Sequence, residues 1–520
     1  MKKAIILTMA LLALLPLVAL SAQTADDAPR RGCRVGIPNE QFIPHRAQRT
    51  AGSENPYTGN RRQLVVLASF QDCDFAEDHD ATLTMWNNIF NAEDYHEAPF
   101  MGSVHDYFMA QSYGMFNLSF DLVLVELPGA RSKYQSTVTN DENSQYMVDD
   151  IVDKLSADSI DWSLYDWDGD AFVDQLLIVY AGKGMNAGGG SETIWPHQWW
   201  LSLHRNQETS DPNDHRSYRS VSSGNKTYYV DCYCCAQEMP LLGEPGMTLG
   251  TICHEYSHCF GFPDFYNGST KYVGKWDLMD SGNNNGNGLC PCGYSAHERM
   301  LMGWLVPTEL TTDATIAAMA ALSDEPQAYL VRNDGAENEY YILENRQQKG
   351  WDEKLPGSGV VIFHIDYDKA IWERAPGANT SAKKRYTIFP ANNSSWTYTH
   401  WAYPYTTTDA QGQTTTVNDE LTNTSEPAAT LINANTDGQL LMSKPITQIA
   451  VDADGLASFV FMDGEATSVS GVPAIQPRPD LWYSLDGRRQ GKNTNGKGIY
   501  IHQGRKVVLR SNTMTGIPRP

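Results

Sequence analysis

Residues 254–264 read HEYSHCFGFPD. This stretch commits the chain to a helix, a sharp stop and a returning loop. On an α-helix, positions i and i+4 share a face, so His254 and His258 can present both imidazoles to one ion. Glu255 sits beside that face, placed to hold a water rather than the metal. Gly261 can end the helix with positive φ and let the chain fold back. Asp264, just after Pro263, arrives as a third ligand, and the fourth position stays open, as a catalytic zinc requires.

The HExxH core alone is short and also describes two polar residues on a solvated helix face. Its extension by Gly261 and Asp264 favours the zinc reading. The flanking residues agree: Leu249, Ile252, Cys253, Tyr256 and Phe260 recur at roughly helical spacing. One face of this helix is expected to be buried while the histidines look into a cleft.

A chain of 520 residues has room for about three domains. It opens with MKKAIILTMALLALLPLVALSAQ. Lys2 and Lys3 precede an apolar run broken by Pro16, and small residues follow, so residues 1–22 are predicted to be a signal peptide. No later run reaches about 18 apolar residues, so no membrane span is expected. The net charge of −23 argues against a nucleic-acid partner and suits an exported protein that binds divalent cations. Nine cysteines, most of them near the HExxH segment, are expected to form disulfides rather than a second metal site, because Cys290-Pro-Cys292 lacks the usual CxxC spacing.

Residues 23–60 lack periodicity and are read as a leader or propeptide. QLVVLASF (63–70) is a buried-strand candidate, 102–116 and 143–156 are helical, and 117–127 alternates as a strand. Asp166, Asp168, Asp170 and Asp174 stand at positions 1, 3, 5 and 9 of a calcium-type loop, with the Phe172 carbonyl at position 7. The loop departs from an EF-hand: Ala171 replaces the usual glycine, and Leu177 replaces the closing glutamate. Residues 183–248 read as loop-rich, with His197 as a structural histidine. A segment rich in short β-like runs extends over 308–465, where His364 and Asp366 are expected to be structural. Residues 466–520 form a linker followed by short strands with glycine turns and basic charge.

The zinc segment, together with WDLMDSG (276–282), resembles the M6 family of secreted metalloproteases, the immune-inhibitor-A-like group of metzincins. LVVLASFQDCDF, GSVHDYFMAQSYGMF, YDWDGDAFVD, HERMLMGWL and EYYILENRQQKGWDEKLPGSGVVIFHID look like family segments in family order, so the resemblance covers roughly residues 60–370. It implies zinc on His254, His258 and Asp264, Glu255 as general base, a structural methionine turn at Met279, and structural calcium on Asp166, Asp168, Asp170 and Asp174. Some metzincins carry a tyrosine two residues after that methionine. Here the position is Ser281, which leaves Tyr294, His297 and Tyr256 as candidates for steadying the oxyanion. Some metzincins are also held latent by a leader cysteine, for which Cys33 is the candidate; its alternative is a disulfide, with Cys73 as a partner. The tail YSLDGRR…GKGIYIHQGRKVVLR resembles the short C-terminal sorting modules of exported Bacteroidetes proteins, which makes secretion machinery an expected partner.

The expected architecture is therefore an α+β or α/β metzincin-like catalytic domain over 61–307, with a mixed twisted sheet and an active-site helix. An all-β, sandwich-like domain over 308–465 follows it. The expected function is secreted or cell-surface hydrolysis of peptide bonds in proteins. Its rivals are a glycoprotein- or mucin-directed metalloprotease and an adhesin carrying a vestigial protease.

Overall fold

Leu64–Ala68 is a run of five apolar residues with two adjacent valines, and a run of that kind is stable as a strand only where both faces are covered. The computed structural model puts it in the interior of a sheet, between two other strands. The model describes residues 54–135, 143–156, 160–203, 218–239, 248–372, 377–379 and 382–462, and the backbone of four short strands beyond them. The predicted signal peptide, most of the leader and Cys33 lie outside the described residues.

The first sheet has strand order β2-β1-β4-β8-β5, with β1 (Gly59–Ser69), β2 (Phe116–Glu126), β4 (Leu176–Lys183), β5 (His197–Trp200) and β8 (Cys232–Met239). The first four strands run parallel, and β5 closes the edge antiparallel to β8. The two-residue β3 (Phe172–Val173) joins β6 (Arg219–Ser223) and β7 (Lys226–Val230) in a small side sheet. Successive residues of β8 point to opposite faces. Cys232 touches Cys259 just past the histidine helix, whereas Tyr233 meets Ser144 at the start of α3. Helices therefore cover both sides.

Those helices are α1 (His79–Asn91), α2 (Val104–Gln111), α3 (Ser144–Leu155), α4 (Thr248–His258) and α5 (Ala296–Met302). The α2 start is closed by a capping box between Ser103 and Asp106. Phe108 of α2 packs on Tyr256 and Phe260 with ring centroids 5.3 and 5.7 Å apart. The apolar stripe predicted for the histidine helix thus faces α2 and the sheet.

Beyond α5 the chain is mostly strands: β9 (Thr308–Glu309), β10 (Ala314–Met319), β11 (Tyr329–Asn333), β12 (Ala336–Arg346), β13 (Gly359–Asp366), β14 (Tyr386–Ile388), β15 (Tyr405–Thr408), β16 (Thr414–Asn418), β17 (Ile446–Val451) and β18 (Ala457–Phe461). A single-turn helix, α6 (Lys369–Trp372), interrupts them. One sheet has order β14-β13-β12-β11-β9 and another β10-β18-β17. The strand period sorts the residues of β12 and β13 between two cores. Tyr340, Ile342, Val361, Phe363 and Ile365 join the core of the first sheet. Tyr341, Leu343, Val360 and Ile362 join a second core against β10, β17 and β18. The antiparallel strands β12 and β13 are thus buried on both faces and form a wall shared by both cores. The four strands 482–484, 489–490, 498–502 and 505–509 pair among themselves in an antiparallel sheet.

Two expectations need correction. The stretch read as loop-rich over 183–248 contains β8, a buried strand parallel to β4 and antiparallel to β5. Its sequence CYCCAQEM lacks the branched aliphatic residues that announce a strand. The expected disulfides are also not formed among the described residues, whose eight cysteines are thiols. Seven of them are buried, most inside the first core, where free cysteine packs as a small apolar residue.

Candidate metal centre

Helix α4 carries His254, Glu255 and His258, all buried among its neighbours. Gly250, one turn before His254, lies so close to the loop 282–288 that a Cβ there would sit 1.9 Å from the carbonyl oxygen of Asn283. After His258 the helix tightens into single turns and stops at Gly261 with φ +94°. The sequence anticipated that stop, and it swings Asp264 back toward the histidines.

Three donor atoms converge there. His254 Nε2 lies 3.1 Å and His258 Nε2 3.5 Å from Asp264 Oδ1. The Glu255 carboxylate stands 4.0 Å from His258 Nε2, and His254, Glu255 and His258 each offer an atom within 4.8 Å of one another. Each imidazole is fixed from behind by a backbone carbonyl: His254 Nδ1 on Leu278 at 2.9 Å and His258 Nδ1 on Phe262 at 2.7 Å. A ring that donates through Nδ1 keeps the Nε2 lone pair for a metal.

His258 Nε2 and Asp264 Oδ1 are buried without a well-formed hydrogen bond. Two orphaned buried atoms facing one point cost free energy unless a cation joins them. Burial would depress the His254 imidazole, but the Asp264 and Glu255 carboxylates outweigh it and lift it to about 9. Burial wins at His258, which falls to about 4 despite the opposing pull of Asp264. Without a cation, one proton on His254 balances the carboxylates; a divalent ion would displace it. Two imidazole nitrogens and one carboxylate oxygen suit zinc with an open position.

Beneath the ligands runs the turn 276–282. Met279 is fully buried, donates its N–H to Asp277 Oδ1 at 2.8 Å and accepts from the Phe265 N–H at 2.9 Å. Asp280 Oδ2 accepts three backbone N–H groups, from Tyr272, Val273 and Gly274. Asp277, Asp280, Arg346 and Tyr386 all serve this turn and were not singled out from the sequence. Arg346 and Tyr386 come from strands with no local motif, and only the fold brings them here.

The three tyrosine and histidine candidates for the oxyanion are engaged elsewhere. The Tyr256 hydroxyl donates to Gln63 at 3.0 Å, Tyr294 bonds Ser257, and His297 lies among Tyr340, Tyr367, Trp372 and Tyr386. Tyr266 is nearer the centre: its ring is 18° from parallel with that of His254, at a centroid distance of 6.5 Å. His197 is bound to the Trp195 carbonyl, Tyr233 and Ser144, and His364 pairs with Glu339 at 2.7 Å, both in structural roles.

Asp166, Asp168 and Asp170 bring carboxylate oxygens within 4.8 Å of one another. Asp174 lies buried behind them, with one oxygen accepting from Trp167 N–H. Burial, with repulsion among the group, raises Asp166, Asp170 and, most of all, Asp174 above the ordinary carboxylate range. Ala171 takes the left-handed conformation, φ +74°, at the position where an EF-hand uses glycine.

Residues 54–302 match the sequence family described as "Immune inhibitor A peptidase M6, catalytic domain". The match supports an M6-type peptidase catalytic domain over that stretch. Among individual proteins, the chain is 24% identical over 292 residues to "Immune inhibitor A" of Bacillus thuringiensis subsp. alesti, covering 47% of this chain and 40% of the relative. It is 26% identical over 186 residues to "Pre-pro-metalloprotease PrtV" of Vibrio cholerae serotype O1, covering 31% of this chain and 19% of the relative. The chain thus spans well under half the length of these relatives. Their names support a metalloprotease.

Proposed function

We propose that this chain is a secreted zinc-dependent endopeptidase that hydrolyses peptide bonds in proteins. The observation that carries the reading is the meeting of His254 Nε2, His258 Nε2 and Asp264 Oδ1 with the Glu255 carboxylate beside them. It falls inside the segment similar to the M6 peptidase domain. His254, His258 and Asp264 would hold the ion. Bound zinc would polarise the scissile carbonyl and acidify a water. Glu255 takes the proton from that water as it attacks and returns it to the leaving amine. The buried wall around the histidines excludes bulk water and strengthens each electrostatic contact. The metzincin arrangement, with Met279 as the floor of the site, belongs to the same proposal.

Glu255→Gln tests the chemistry. The variant keeps zinc at wild-type stoichiometry and digests casein about 10²- to 10⁴-fold more slowly. Casein digestion at the wild-type rate would remove Glu255 from the mechanism.

The aspartate loop is proposed to bind structural calcium through Asp166, Asp168, Asp170 and Asp174. Export rests on the leader sequence, and no described helix is long and apolar enough to cross a membrane. The terminal strands are proposed as a sorting module read by secretion machinery. The domain limits 61–307 and 308–465 are proposed with them.

A further inference from the structure

Ligand Asp264 and the turn under the zinc site are held from outside the segment similar to the peptidase domain. Phe265, the next residue after Asp264, stacks its ring on Tyr386 of β14, with centroids 3.8 Å apart and planes at 26°. The Phe265 carbonyl accepts from Asn379 Nδ2 at 2.8 Å. Asn379 also clasps the Tyr386 backbone, donating to its carbonyl and accepting from its N–H at 3.0 Å. The Tyr386 hydroxyl then reaches the other wall of the site, 2.8 Å from Asp277 Oδ2 and 2.8 Å from Ser295 Oγ.

Asp277 is the residue that fixes the turn. Its other oxygen accepts the Met279 N–H, and the Met279 carbonyl accepts from Phe265. The Leu278 carbonyl between them receives His254 Nδ1. One phenol therefore touches both routes to the ligands: through its ring to the backbone that delivers Asp264, and through its hydroxyl to the turn that orients His254.

We infer that Tyr386 is a positioning residue for the zinc centre, and that the metal affinity of this enzyme depends on the sheet that β14 edges. The inference rests on the zinc-peptidase reading above. Partners that orient ligands without touching metal commonly carry one to two orders of magnitude in affinity, and this one is fully buried, so water does not replace the lost bond.

The test is Tyr386→Phe in the full-length chain, which keeps the stacking ring and removes the hydroxyl. Zinc affinity is measured by competition with a chromophoric chelator, on protein shown to be folded by circular dichroism. The visible spectrum of the cobalt(II)-substituted protein reports ligand geometry. The expected result is a zinc Kd raised about 10- to 100-fold and shifted cobalt bands. At saturating zinc, kcat falls while KM stays near wild type. Should the variant fail to fold, Asp277→Asn weakens the same link from its other end and gives the same direction of change. A folded variant with wild-type Kd and cobalt spectrum, even at a lowered melting temperature, reduces Tyr386 to a packing residue and overturns the inference. Failure of the wild-type protein to bind zinc overturns the underlying reading instead, and the two failures are distinguished by that first titration.

Discussion

Both metal-facing imidazoles have a second bond that fixes their aim. His254 and His258 are both backed by carbonyls, and Asp264 follows a proline in a chain reversed by Gly261. Asp264→Ala therefore removes a ligand that is already in place, not one recruited on binding. Zinc affinity should fall by several orders of magnitude while the helix persists, which equilibrium dialysis and far-ultraviolet circular dichroism can separate. The sequence announced these residues because i, i+4 spacing and a glycine stop are local rules. It did not announce Tyr386, Asn379 or Arg346, whose partners around the turn lie 70 or more residues away. It placed Tyr256 on the buried face of its helix but did not foresee that Tyr294 points into the core, since a motif fixes spacing but not which neighbours claim a hydroxyl.

Among the elements, helix α4 is limited by contact with the loop 282–288. Alanine normally favours a helix over glycine by about 1 kcal/mol. At Gly250 the sign should invert, because an added methyl meets the Asn283 carbonyl at 1.9 Å. Gly250→Ala is expected to lower the melting temperature and weaken zinc binding together; a stabilised variant would show that the loop yields freely. The aspartate loop makes a separate prediction. If it holds calcium, a calcium-selective chelator lowers the melting temperature while zinc stays bound, by about 2.7 kcal/mol of linkage where calcium stood at a hundredfold excess over Kd. An unchanged melting curve would leave the four carboxylates without an ion. Most strands and helices were legible from periodicity, such as β1 and α2. Strand β8 was not, because its cysteines and paired polar residues hide a buried face. Its place in the sheet comes from parallel pairing with β4, which no local pattern encodes.

For the whole molecule, the shared wall couples pH to stability. Burial holds His297 down to about 3, against its usual 6.5. Between those values the unfolded chain binds a proton that the folded chain refuses, so stability falls as pH drops from 6.5 toward 3. Burial raises Asp277 to about 7, which gives the opposite slope. Comparing melting temperatures of wild type and His297→Phe across pH 3–8 isolates the histidine: the difference should be flat above 6.5 and favour the variant progressively below it. A parallel pair of curves would mean that His297 finds a way to protonate in the fold. One feature of the second core also bears on how the protein survives cutting. Strand β10, at its beginning, is hydrogen-bonded to β18, at its end, with Ala314 beside Phe461 and Ile316 beside Phe459. The region is clasped like a bracelet. A single nick in any loop between Met319 and Ala457 leaves both fragments fastened together, and trimming beyond Met462 leaves the clasp closed. Loss of the residues beyond Met462 would leave intact the wall on which the metal centre rests.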